Sequence, residues 1–190
     1  RRRQRQMCIR DSNYIKYARV AEEDPNAVVS FHYYLPMLLS HYKMLAWVGY
    51  QGAVQYPGVV IPTQSDADKY PQYASFHKTT YNADRIMGEM SNAASDGRNA
   101  GLAVHCGEFG CSKNVAEAMR LAWFTDMVAA MEANNIPWTL WECLDGGFGF
   151  VDMEYGIYRI NCPLLKVLTG KELTDAEAKV LLQKYGFKTE

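Results

Sequence analysis

Polar and flat aromatic side chains stand at the ends of three apolar runs in this sequence. His32 and Tyr34 end the first run, Glu108 ends the second, and Trp141 and Glu142 end the third. In parallel sheets, ligands bind at the carboxyl ends of the strands. Because a close-packed core would not select such groups, their position predicts a site assembled from three strand ends.

These residue types are suited to the cleavage of a sugar. Glu108 lies between Gly107 and Gly110, whose lack of side chains would let a bulky substrate approach the backbone. An imidazole and a tyrosine hydroxyl could hydrogen-bond the carboxylate and keep it ionised, and the Trp141 indole offers a flat face to a sugar ring. Such a set is typical of glycoside hydrolysis. The structural alternatives are a satisfied ion pair for Glu108 and a hydrogen-bonded core histidine for His32.

Three strand–loop–helix repeats would position these groups. We predict strands over residues 27–34, 100–106 and 136–142, and helices over 13–23, 65–94, 114–134, 162–168 and 175–185. Repeats of this kind indicate βαβ units and a parallel sheet, which is an α/β fold. Residues 35–63 are predicted to form one long loop, and residues 146–150 to open another.

Two of the helices carry more detailed predictions. Gly97 should mark the exit from the helix that precedes the second strand, and Asn114 should cap the helix that follows that strand. The inner face of the latter helix is predicted to consist of Ala118, Leu121, Ala122, Thr125, Val128, Ala129 and Met131.

The composition is that of one globular domain, with 190 residues, 48% hydrophobic residues and a net charge of -1. This charge argues against nucleic acid or an anionic membrane as a partner, and no run of about 18 apolar residues could cross a bilayer. Residues 1–12 contain five arginines and one aspartate without an apolar period. We interpret them as a non-native basic leader outside the fold, without the apolar segment of a signal peptide; a nucleic-acid-binding arm is the alternative.

The five cysteines have no CxxC spacing and do not indicate a disulfide framework. His105, Cys106 and Cys111 could be taken for a metal cluster, but a zinc site normally has four ligands at tighter spacing, so we predict no metal. The glycine-rich residues 146–149 lack the spacing of a phosphate-binding loop. We therefore predict no cofactor and disfavour a flavodoxin-like enzyme.

Short motifs in a fixed order resemble the C-terminal part of a cellulase-type glycoside hydrolase of family 5. The motifs are residues 31–36, 40–47, 56–58, 107–110 and 137–142, and the similarity runs from about residue 24 to about residue 155. The resemblance implies a partial (β/α)8 barrel, in which the three predicted strands are the sixth, seventh and eighth.

The resemblance also implies roles for the residues at the strand ends. Glu108 matches the nucleophile of a retaining mechanism, and His32 and Tyr34 match a pair in which the tyrosine hydrogen-bonds that nucleophile. Trp141 matches the tryptophan that stacks under the sugar whose bond is broken.

Trp47 and His41 match the loop of the substrate cleft, although His41-Tyr42 departs from the usual His-Gln. The second carboxyl group of the mechanism belongs to an Asn-Glu dipeptide on the fourth strand, and the sequence contains no Asn-Glu.

We therefore expect residues 13–190 to be the C-terminal part of the catalytic domain of a secreted hydrolase, monomeric when full length and nearly or fully inactive as this piece. The implied substrate is a plant-type polysaccharide, most simply β-1,4-glucan. Mannan, xyloglucan and β-1,3-glucan remain alternatives, as does a non-catalytic carbohydrate-binding remnant.

Overall fold

A computed structural model of the chain describes residues 7–9, 15, 24, 26–44, 49–144 and 146–190. In chain order its elements are β1 (Met7–Ile9), β2 (Val28–Tyr33), α1 (Met37–Ser40), β3 (Gly58–Val59), α2 (Gln64–Lys69), a 3₁₀ helix (Pro71–Lys78), β4 (Thr80–Tyr81), α3 (Ala83–Asn99), β5 (Ala103–Phe109), α4 (Glu117–Ala133), β6 (Trp138–Leu140), β7 (Val151–Glu154), β8 (Ile157–Ile160), α5 (Cys162–Thr169) and α6 (Asp175–Lys184). The predicted helix over 13–23 lies outside the described residues, except at Ile15.

The main sheet is parallel and has the strand order β1-β2-β5-β6. Helices connect β2 to β5 and β5 to β6, so each crossover returns the chain to the adjacent position in the same direction. Parallel strands joined in this order form a wedge of a (β/α)8 barrel. The predicted partial barrel is confirmed, and β2, β5 and β6 overlap the three predicted strands. The strand β5 begins and ends three residues later than predicted, so Glu108 lies within it and not beyond its end.

The first strand of this wedge differs from the prediction. Met7–Ile9 pairs in parallel with residues 29–31 of β2, so the interpretation of residues 1–12 as a leader outside the fold does not hold for residues 7–9. A strand of three residues is held by backbone hydrogen bonds, and these leave no apolar period in a sequence.

Apolar side chains between the sheet and the helices form the core. Phe109 of β5 is fully buried and packs edge-on against Phe124 of α4 and Trp138 of β6, with ring centroids 5.9 Å and 5.2 Å away. Trp123 is also fully buried, and its indole N–H donates to the Leu35 carbonyl at 3.0 Å. These contacts fix α4 against the strands that carry the predicted site residues.

The orientation of α4 differs from the prediction. The buried residues are Arg120, Trp123, Phe124, Met127, Val128, Ala130 and Met131. The predicted inner face is therefore right at Val128 and Met131, while Leu121 and Ala122 are only partly buried against the core. Apolar residues occupy most of the circumference of this helix, and the largest side chains turn to the core. The predicted cap is also wrong, because α4 begins after Ala116 and the Asn114 amide donates to the Tyr42 carbonyl instead.

The predicted helix over 65–94 is three separate pieces. Tyr70 leaves the helical conformation because Pro71 disfavours it in the preceding residue. A 3₁₀ helix and β4 follow, and Asn82 then caps α3 by accepting a hydrogen bond from the Arg85 N–H. The predicted loop over 35–63 contains α1 and β3, which are too short to produce a recognisable period.

The hairpin β7–β8 was not predicted. Its two-residue turn, Tyr155-Gly156, has positive φ at both positions, 51° and 76°, as a type I′ turn requires. Tyrosine is unusual there, which explains why the turn gave no sequence signal. The two C-terminal helices are confirmed, and no described helix is long and apolar enough to cross a membrane.

Two glycines of α3 give opposite expectations for replacement by alanine. Nothing lies within 4 Å of a Cβ built at the exposed Gly88, so Gly88→Ala should raise the free energy of unfolding by about 0.5–1 kcal/mol through helix propensity. Gly97 lies inside α3 rather than at its exit, and a Cβ there would overlap Val104 of β5. Gly97→Ala should therefore lower the free energy of unfolding by about 1–3 kcal/mol. Urea unfolding measures both changes, and equal effects would contradict this packing of α3 on β5.

Candidate active site

Glu108 reaches the inner face of the sheet through a one-residue irregularity in β5. Phe31 of β2 pairs with Cys106, but the next residue, His32, pairs with Glu108, so β5 has one residue more than β2 at this point. The pairing of β5 with β6 shifts in the same place. This irregularity is a β-bulge, which changes the direction of a side chain. The bulge leaves Glu108 directly opposite His32.

Two groups from the β2 side hold one oxygen of the Glu108 carboxylate. The Tyr34 hydroxyl donates to Oε2 at 3.0 Å, and Nδ1 of His32 lies 3.3 Å from the same oxygen. Among the described residues, no hydrogen bond is made to the other oxygen, Oε1. The arrangement therefore orients the carboxylate through one of its two oxygens.

The Tyr34 hydroxyl is held in its protonated form. Burial, followed by the hydrogen bond to Glu108, raises the pKa of Tyr34 well above the ordinary value of 10.0. The negative charges of Glu108 and Glu142 also disfavour a tyrosinate. A neutral phenol next to a carboxylate acts as the donor, so the direction of this hydrogen bond is fixed.

The rings of Tyr34, His41 and Phe148 form an aromatic cluster beside the carboxylate. Their centroids are 4.9 Å apart for Tyr34 and His41, 5.9 Å for Tyr34 and Phe148, and 5.2 Å for His41 and Phe148. Ser40, at the end of α1, donates to the Tyr34 carbonyl at 2.5 Å and lies 2.9 Å from Nδ1 of His41. The His41 ring thus contacts Tyr34, the residue whose hydroxyl donates to Glu108. The part of His41 in substrate binding stays a prediction.

Trp141 follows β6 directly and lies beside the strand that carries Glu108. Its backbone N–H donates to the Phe109 carbonyl at 2.9 Å, and 46% of the surface of Trp141 is exposed. Glu142 comes next, after a cis peptide bond. Its Oε1 is buried without a hydrogen-bond partner among the described residues.

The glycines next to Glu108 serve strand packing. A Cβ at Gly107 would overlap the Ser30 hydroxyl of β2, and a Cβ at Gly110 would overlap the Trp141 carbonyl oxygen. The expectation that these glycines open a path for substrate is therefore not supported. They let β5 approach the chain segments on both of its sides.

The residues considered for a metal cluster are engaged in other interactions. His105 bridges Ser30 and Thr139, with its ring nitrogens 3.4 Å and 3.1 Å from their hydroxyl oxygens. Cys106 and Cys111 are buried, and burial raises the pKa of each thiol to about 12. Within the described ranges, no three His, Cys, Asp or Glu side chains are grouped to hold a metal ion.

Phe148 and Ser40 were not predicted as site residues, and no role was predicted for Glu142. Trp47 lies outside the described residues. Phe148 stands in the glycine-rich segment that follows the third strand end, and Ser40 stands just beyond the first. Their proximity to strand ends is a signal for the site. Periodicity, however, does not indicate which loop side chains turn inward.

Comparison with known sequences places these residues in a family. The model of the cellulase family, glycosyl hydrolase family 5, matches residues 6–147. Endoglucanase C of Acetivibrio thermocellus is 22% identical over 143 residues, which are 72% of this chain and 39% of that relative. The chain therefore spans about two fifths of the length of this curated relative.

Solved structures with the same architecture include subunit Z of the clostridial cellulose synthase from Clostridioides difficile. It has a TM-score of 0.62 and 21% identity, with 87% of this chain and 50% of that chain covered. Cel5A of Thermotoga maritima in complex with cellobiose has a TM-score of 0.59 and 18% identity, with coverages of 86% and 47%. At these identities the likeness establishes the fold.

The raised pKa of Tyr34 gives a prediction for alkaline pH. The stability contributed by the protonated hydroxyl is fully present below the unfolded pKa and is lost as the pH rises towards the folded one. Above about pH 10, the free energy of unfolding of the parent should fall faster than that of Tyr34→Phe, by up to about 1.4 kcal/mol per pH unit.

Urea unfolding between about pH 9 and about pH 11 measures this difference. Glu108→Gln separates the two causes. Because burial is the larger one, this variant should retain part of the steeper slope. Parallel slopes for the parent and Tyr34→Phe would contradict the raised pKa of Tyr34.

Proposed function

The chain belongs to the cellulase family, glycosyl hydrolase family 5, and on this premise we propose that it carries the nucleophile half of a retaining β-glycosidase site. Glu108 is the nucleophile, Tyr34 and His32 orient it, and Trp141 supports the sugar. The observation that carries the proposal is the Glu108 carboxylate oxygen Oε2, which the Tyr34 hydroxyl and the His32 ring hold together.

The chemistry follows from this orientation. Oε1 of Glu108 attacks the anomeric carbon, a C–O bond forms between enzyme and sugar, and the bond to the leaving oxygen breaks with its electron pair. A general acid protonates that oxygen, and water later releases the sugar. Because the Tyr34 hydroxyl stays protonated, it donates to Oε2 while Oε1 reacts.

The general acid is the part of this mechanism that the chain does not supply. In a retaining site the two carboxyl groups stand about 5–5.5 Å apart, and the Asn-Glu dipeptide expected to carry the acid is not in this sequence. General acid catalysis contributes about 10²–10⁴-fold. The chain by itself should therefore be nearly or fully inactive on polysaccharide and should react only with substrates whose leaving groups need no proton.

The proposed substrate is β-1,4-glucan, and the whole protein is proposed to act on it outside the cell. Endoglucanase C and Cel5A with cellobiose support this substrate class, and the Trp141 face suits the C–H side of a pyranose. Mannan and β-1,3-glucan would use the same strand-end residues. Loop contacts would decide between them.

A fluorinated activated glycoside tests the nucleophile directly. A dinitrophenyl 2-deoxy-2-fluoro-β-cellobioside has a leaving group that needs no acid, and its fluorine slows hydrolysis of the glycosyl-enzyme. The parent should gain one fluorocellobiosyl group on the peptide that contains Glu108, as measured by mass spectrometry. Glu108→Gln should show no labelling above background.

Glu142→Gln is the matched control, because it removes a carboxylate one strand away and should leave the labelling in place. Labelling of Glu142, or equal labelling of the parent and Glu108→Gln, would refute the role of Glu108. If the parent binds cellotetraose but takes up no label, the non-catalytic carbohydrate-binding alternative is the correct one.

A further inference from the structure

Arg120 is a buried cation that the proposed chemistry does not use. It lies on α4 with only 5% of its surface exposed. Within the described part of the chain it forms no ion pair, and all of its hydrogen bonds go to backbone carbonyls. Burial lowers its pKa, yet a guanidinium remains charged in proteins. Because burying a charge costs several kcal/mol, a cation at this position needs a reason.

The carbonyls that Arg120 binds belong to two different loops. Nε donates to Cys111 at 2.9 Å, and Nη2 donates to Phe148 at 2.5 Å and Gly149 at 2.8 Å. Cys111 lies in the loop after the strand of Glu108, whereas Phe148 and Gly149 lie in the loop that follows Trp141. One planar guanidinium therefore joins the two loops that leave the candidate site.

Phe148 connects this buried cation to the site. Its carbonyl accepts from Arg120, and its ring packs edge-on against Tyr34 and His41. The ring also lies close to Gly110, where a Cβ would stand 2.9 Å from Cδ1 of Phe148. A shift of the Phe148 backbone would therefore move the Phe148 ring, which packs against Tyr34, the residue that donates to Glu108.

We propose that Arg120 is a positioning residue of the site, which holds Phe148 so that Tyr34 and His41 keep their places beside Glu108. This inference rests on the proposed function of that site. The guanidinium is suited to the task because its donors form a rigid fork that can serve two loops at once. A lysine ammonium keeps the charge but is a single point on a flexible stem.

Histidine-ring NMR of the full chain tests the proposal, because the sequence has only four histidines. The His41 ring signals sense Phe148 through ring currents, whereas His77, which contacts the Ile61 carbonyl at 2.8 Å, is the internal reference. In Arg120→Lys and Arg120→Met, the His41 signals should shift and those of His77 should stay. The exposed Arg98→Met is the matched control and should shift neither.

A structural role alone would lower stability and leave the His41 signals of the folded variants in place, and this result would overturn the proposal. Cellotetraose binding, measured by calorimetry, should weaken about tenfold in Arg120→Lys, which corresponds to about 1.4 kcal/mol of binding free energy. If the parent binds no cellotetraose but His41 still shifts, the proposed function fails while the positioning role stands.

Should both Arg120 variants fail to fold, the unsubstituted chain decides. The Nε–H signal of Arg120 should then shift when cellotetraose binds, and that of Arg98 should not. Binding without a shift at Arg120 would overturn the proposal. If the parent also binds no cellotetraose, the perturbation is a urea concentration below the unfolding transition. The Arg120 Nε–H signal and the His41 ring signals should then shift in parallel as urea is added. Independent shifts of the two sets of signals would overturn the proposal.

Discussion

The candidate site depends on one extra residue in β5. Side chains alternate along a strand, so a regular β5 would point residue 108 to the same side as Cys106, into the core. Instead, the next fully buried residue after Cys106 is Phe109, three positions on, and both neighbouring strands shift their pairing in this interval. The bulge therefore turns Glu108 out of the core while Phe109 takes its place there.

Close packing holds this irregularity in place from both faces of the sheet. On the helix side, the Phe109 ring is enclosed by aromatic residues of α4 and β6, which anchors the chain directly after the bulge. On the inner side, the space at Gly107 is taken by Ser30, so only glycine fits there. Packing thus fixes the carboxylate at the height where His32 and Tyr34 reach Oε2.

The part of the fold that follows from local pattern could be predicted from the sequence. Apolar runs that end in functional groups indicated β2, β5 and β6, and with them the grouping of Glu108 with its strand-end neighbours. The bulge could not be predicted, because one inserted residue leaves the local composition unchanged. The orientation of α4 was missed for a related reason: a helix with apolar residues on most sides is oriented by the volumes it must fill.

The inner face of the wedge bears on how such a piece behaves on its own. Barrel interiors are usually filled with bulky branched side chains, and an uncovered face of that kind would favour aggregation. Below Glu108 the inner layer is instead Ser30, His105 and Thr139, and His105 on the middle strand contacts the other two. The polar groups of this layer find partners within the wedge itself. Aggregation should therefore depend more on the two outer strands of the described sheet, β1 and β6. The backbone N–H and C=O groups at such edges can pair with a strand of another chain.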